Sequence, residues 1–139
     1  MKGTTRNIAG LMVICVVSLF LASCTTTPRK TDNTPAKTFE ASFDDVYEAS
    51  INAFRNLGLE IFKRIRDQGY VEGGRRESWP RGSERVGVFI ERTDPAKTTV
   101  RIDSRKAFVG YAFAKDWTDE LFDQIELELH RMRRWRKRG

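Results

Sequence analysis

The sequence predicts an α+β domain: an antiparallel sheet of about four strands, with an N-terminal and a C-terminal helix packed on one face. Three observations point there. Apolar residues recur at helical spacing in two stretches, one at each end of the body. Between those stretches they alternate every second residue in short runs. Most of the runs are joined by turns too short for a crossover helix, so neighbouring strands pair antiparallel.

Taken in order, Phe39, Ala41 and Phe43 alternate as in a short strand, and Ser42 and Asp45 have capping-box-like spacing for a helix through Leu57. Val46, Tyr47, Ser50, Ala53, Phe54 and Leu57 form the apolar face of that helix, and Gly58 closes it. Leu59, Ile61 and Ile65 mark the next strand, and Asp67-Gln68-Gly69 turns into Tyr70-Val71-Glu72. After a loop of Arg, Gly and Pro, Val86, Val88 and Ile90 alternate. Asp94-Pro95 then turns the chain into Val100 and Ile102. The last helix runs from about Asp116 to Met132, with Leu121, Phe122, Ile125, Leu129 and Met132 as its buried stripe. No segment repeats another.

The folded body is therefore expected at residues 38–132, and the flanks read differently. Residues 1–23 carry Lys2 and Arg6 without an acid, then an apolar run from Leu11 to Leu21 broken only by Ser18. Eleven helical residues reach about 16 Å, short of the ~30 Å hydrocarbon core, so the run has the length of an export signal rather than a spanning helix. Residues 24–37 are rich in Thr, Pro and charge and read as a disordered tether. Its thirteen residues after Cys24 would reach about 20 Å. Residues 133–139 form a basic tail.

The net charge of +6 belongs to the ends. Six basic residues (Arg131, Arg133, Arg134, Arg136, Lys137 and Arg138) lie in the last nine positions, while residues 24–129 hold 17 basic against 19 acidic. The only cysteines are Cys15 and Cys24, so no disulfide framework is expected in the body.

The inventory of reactive groups points away from catalysis, and no catalytic residue, metal ligand set or cofactor site is assigned. His130 is the only histidine and stands beside the arginines, and Gly73-Gly74 lacks the context of a phosphate loop. Asp116, Asp119, Glu120 and Asp123 share a helical face, but acids at a helix start and arginines at its end are what the helix dipole favours without a metal. Phe62, Phe89, Arg64, Arg101 and Arg105 would face outward on the sheet. Exposed aromatics are ordinary on a half-covered sheet, and no nucleic-acid partner is assigned. Contact surfaces are better candidates. Phe108, Tyr111 and Trp79 lie in aromatic connecting segments that either close the core or form an exposed apolar patch. The tail, with Trp135 among Arg131, Arg133, Arg134, Arg136, Lys137 and Arg138, suits an anionic lipid surface, peptidoglycan carboxylates or an acidic protein. A solvated helix end explains it equally well.

Leu21-Ala22-Ser23-Cys24 resembles the bacterial lipobox. The resemblance implies cleavage before Cys24 and acylation of its thiol, with stable anchoring by more than one acyl chain. Thr25 in place of Asp implies sorting to the outer membrane, with the domain on its periplasmic face. The stretches FDDVYEASINAFRNLGL, VRID and WTDELFDQIELEL, in that order, resemble small single-domain Gram-negative lipoproteins of unknown function. More distantly they are similar to the lipoprotein domains of the outer-membrane assembly machinery. The expected role is a non-enzymatic interaction or structural component of the envelope. The alternative is a carrier or sensor of a small hydrophobic ligand, which would need a pocket lined by Phe54, Val88 and Ile102.

Overall fold

The computed structural model describes residues 27–75, 84–106 and 115–139. Its elements are β1 (Ala36–Phe39), α1 (Phe43–Asn56), β2 (Glu60–Ile65), a single 3-10 turn (Arg66–Gln68), β3 (Tyr70–Arg75), β4 (Glu84–Asp94), β5 (Lys97–Lys106) and α2 (Thr118–Arg136). The strands form one antiparallel sheet in the order β1-β5-β4-β3-β2. This is the expected α+β class, with five strands rather than about four.

The first strand, expected over Phe39, Ala41 and Phe43, falls earlier and is short and polar. Ala36 to Phe39 pair with Arg101 to Thr98 along the edge of β5. Only Phe39 of the alternating Phe39, Ala41 and Phe43 belongs to it. Ala41 lies in the turn that follows, and Phe43 opens α1. Cross-strand hydrogen bonding, which leaves no hydrophobic pattern in Lys37 and Thr38, is what makes the segment a strand.

The start of α1 follows from its sequence. The Ser42 side chain accepts the Asp45 N–H at 3.2 Å, Asp44 and Asp45 sit in the positive first turn, and Arg55 sits in the last. The chain then turns through Gly58 at φ 68°, a left-handed conformation that glycine adopts without strain.

Register explains which sheet face is covered. Val71 pairs with Val88 and Val88 with Ile102, while Ile90 pairs with Val100 and Gly73 with Val86. With an odd number of steps excluded, these residues share one face, and Val71, Val86, Val88, Val100 and Ile102 are completely buried. Val46, Ala53 and Phe54 from α1 and Leu121, Ile125 and Leu129 from α2 fill the same core. Each of the larger aliphatic side chains contributes about 1.5–3 kcal/mol by leaving water. Gly73 leaves room for the Phe54 ring: a Cβ there would stand 2.8 Å from it and 2.5 Å from the Glu60 carbonyl oxygen.

The two helices run antiparallel, fastened at both ends. Asp45 near the start of α1 receives Arg136 near the end of α2, at 2.6 and 3.2 Å. Asn56 at the end of α1 donates to Glu128 at 3.0 Å, and Arg131 holds the same carboxylate at 2.7 Å. The Arg136 contact changes the expected boundary, because residues 133–136 are the last turn of α2 rather than a separate tail.

The segment read as a disordered tether through Lys37 differs most. From Pro28 to Pro35 it lies as a strap across the sheet face opposite the helices. Pro28 is buried over Gly87, where a Cβ would come within 2.5 Å of the Pro28 Cβ. The Arg29 N–H donates to Asp103 at 2.7 Å, and Lys30 pairs with Glu91. Arg101 donates to the Thr34 carbonyl at 3.3 Å, and the Ile102 N–H donates to the Pro35 carbonyl at 3.0 Å. Local composition gave no core-forming signal, but the outer sheet face supplied partners 55 or more residues away in the chain.

Candidate interaction surfaces

Three places on the body gather charged and aromatic side chains. The first is the C-terminal half of α2. Leu121, Ile125 and Leu129 face the core, so Leu127, Arg131 and Arg134, at spacings of four and three, turn away from it, while Trp135 lies on the flank and Arg138 just past the end of the helix. Leu127 and Trp135 are the exposed large hydrophobic residues among those described, at 40% and 74%. Arg131, Arg134, Trp135 and Arg138 line a shallow depression of about 260 Å³.

The basic residues expected to act together are divided by this geometry. Arg136 is held by Asp45, and Arg133 donates to the Glu40 carbonyl at 3.1 Å, so both fasten α2 to the start of α1. Their guanidinium groups take part in the fold. Arg131 is shared with Glu128, whereas Arg134, Lys137 and Arg138 are exposed and make no ion pair among the described residues. His130 lies 3.9 Å from Glu126 and faces solvent.

The second place is the outer sheet face beneath and beside the strap. Tyr70 and Phe89 pack at a tilt of 34° with ring centres 4.9 Å apart. The Tyr70 hydroxyl donates to Glu72 at 2.9 Å, and Arg85 donates to the other Glu72 oxygen at 2.8 Å while lying over Phe62. Burial and the bond to Glu72 push the Tyr70 phenol well above its ordinary value, so it remains a neutral donor. The predicted outward set is thus only partly assembled. Phe89 and Arg101 are engaged by Tyr70 and the strap, and Arg105 is turned onto Asp103 at 2.7 Å. Arg64 pairs in register with Val71, a core-facing position, because a bulge between Ile61 and Lys63 shifts the alternation.

The third place is the start of α2. Trp117 is 3% exposed, and its indole N–H donates to Glu84 at 2.6 Å. Its backbone N–H donates to Ser104 at 3.3 Å, and Arg75 and Lys115 lie over its ring at 4.8 and 4.4 Å. Trp117 therefore closes the core at this end. Of the four acids read as a dipole-complementing set, Asp116 accepts from the Thr118 N–H at 3.0 Å and hydroxyl at 2.6 Å. Glu120 pairs with Lys115 at 2.7 Å. No metal-ligating cluster occurs among the described residues.

Leu21, Ala22, Ser23 and Cys24 lie outside the described residues, as do Trp79, Phe108 and Tyr111. The strap is the feature that sequence reasoning missed. One signal for it was available: Gly87 interrupts the Val86-Val88 alternation on the outer face, leaving room for a backbone to approach. Compared with known proteins, the chain matches no family model and no curated sequence.

Proposed function

We propose that this protein is a lipid-anchored envelope component that acts by contact rather than catalysis, held at Cys24 on the periplasmic face of the outer membrane. The observation carrying the proposal is the Leu21-Ala22-Ser23-Cys24 sequence behind an apolar, positively started leader, with Thr25 following. Pro28, four residues after Cys24, is already packed on the sheet. An anchored chain of this kind would hold its domain close to the bilayer.

The ligand-carrier reading gains no support from the interior. Phe54, Val88 and Ile102, the residues a pocket would need, are completely buried in the core, with the Phe54 ring pressed against Gly73. The anchoring proposal is tested by metabolic labelling with a fatty acid. Cys24→Ala is expected to abolish labelling and leave the longer precursor, and normal labelling of that variant would overturn the proposal.

A further inference from the structure

We infer that the outward face of the C-terminal half of α2 is a contact surface for a carboxylate-bearing glycan polymer, the chemistry of peptidoglycan, on the side of the molecule away from the lipid anchor. Its orientation rests on the anchoring at Cys24 proposed above.

Two observations fix the direction. Pro28 sits over Gly87 of β4, the middle strand of five, on the face opposite the helices. Four residue steps from Pro28 back to Cys24 span at most about 14 Å. A sheet of five strands extends about 10 Å from its middle strand to either edge, so this leash reaches the sheet's own rim and no farther layer. The bilayer therefore lies on the strap side or beside the sheet's rim, and not against the helix layer. Leu127, Arg131, Arg134, Trp135 and Arg138 belong to the other layer, along α2 and just past its end, with Leu127 and Trp135 exposed to solvent. The stripe faces away from the membrane that holds the anchor.

Shape and chemistry select the partner. The surface carries a depression of about 260 Å³ between Arg131, Arg134, Trp135 and Arg138, and its exposed large apolar side chains are Leu127 and Trp135. A rigid protein partner needs about 800 Å² per side and an apolar centre. This stripe offers instead a few strong points along one line, which a flexible polymer engages one after another. Guanidinium groups pair with carboxylates through two parallel hydrogen bonds. The indole of Trp135, 74% exposed between them, presents a flat face to the C–H side of a sugar ring. Arg133 and Arg136, spent on Glu40 and Asp45, take no part.

The test is co-sedimentation of the protein as isolated from membranes, acylated or not, in detergent micelles with purified peptidoglycan sacculi. The wild type is expected to sediment at low salt and to be released at high salt. The double variant Arg134→Glu/Arg138→Glu should bind about tenfold more weakly or worse, and Trp135→Ala should also weaken binding. Arg133→Gln should leave binding intact while lowering the melting temperature, a separation that general unfolding would not produce. Arg134→Gln/Arg138→Gln provides a milder pair should charge reversal disturb the helix. Sedimentation of the charge-reversed and neutral pairs equal to wild type would overturn the inference. So would a wild type that ignores sacculi, or one that binds phosphatidylglycerol vesicles in preference to them. Micelles remove any need for the anchor, so failure here leaves the labelling result at Cys24 standing, and the reverse.

Discussion

At the scale of single residues, the same side-chain type takes opposite duties two positions apart. Arg136 is bound to Asp45 and holds two helices together, while Arg134 is free of ion pairs among the described residues. Sequence composition registers both as basic; only the partner across the helix pair distinguishes them. The Asp45 contact has a measurable signature. Arg136 hydrogen-bonding to its carboxylate is the largest influence and holds Asp45 below its ordinary value of 3.8, with Ser42 contributing in the same direction. A carboxyl depressed in the folded state contributes stability above its unfolded value and loses it as pH falls through the folded one. Asp45→Asn is therefore expected to lower the melting temperature slightly at neutral pH, as an exposed ion pair should. The difference from wild type should shrink below about pH 4. Thermal melts at both pH values decide it: an equal gap at the two would mean that the ion pair contributes nothing.

At the scale of elements, legibility followed the origin of each element's stability. α1 was readable because its cap (Ser42), its apolar face (Val46, Ala53, Phe54) and its stop (Gly58) are all local. The central strands were readable because burial on one face imposes alternation on Val86, Val88 and Ile90. β1 was read a few residues late, over Phe39 to Phe43, and the strap was not read at all, since both are held by main-chain and charge contacts to remote partners, such as Pro35 with Ile102 and Arg29 with Asp103. The C-terminal boundary failed for a similar reason: the last turn of α2 is secured by Asp45 and Glu40, not by its own apolar residues. The strap's dependence on one small residue makes it testable. A side chain at Gly87 would occupy the space of Pro28, while Val86 and Val88 on the opposite face keep the core. Gly87→Val is expected to lift the strap and speed tryptic cleavage after Arg29 and Lys30, with a smaller effect on cleavage within α1. Unchanged cleavage would mean that the strap is not seated through Pro28.

At the scale of the whole molecule, the fold has two unlike faces, and the chain segment nearest Cys24 belongs to one of them. The strap crosses the sheet face, and the free basic and aromatic residues line the helix face. This polarity was hidden in the sequence, where Cys24 and Trp135 stand at opposite ends and a long tether would allow any arrangement. Seating residues 28–35 on the sheet shortens the span between Cys24 and the body from thirteen residues to those before Pro28, and that short span is what orients the stripe. Lengthening it should abolish the orientation. In the acylated protein on anionic vesicles with brominated lipid chains, Trp135 fluorescence, obtained by difference from Trp135→Phe, is expected to escape quenching. An insertion of about twenty Gly and Ser residues between Thr27 and Pro28 has an r.m.s. reach of about 25 Å. That reach lets the body turn over, so arginines beside an anionic surface should draw Trp135 into the interface and quench it. Quenching already present with the native leash would mean that the stripe rests on its own membrane, and the two-faced arrangement would fall. Quenching in neither case would separate the stripe from lipid altogether, leaving the polymer as the surface that its arginines and indole meet.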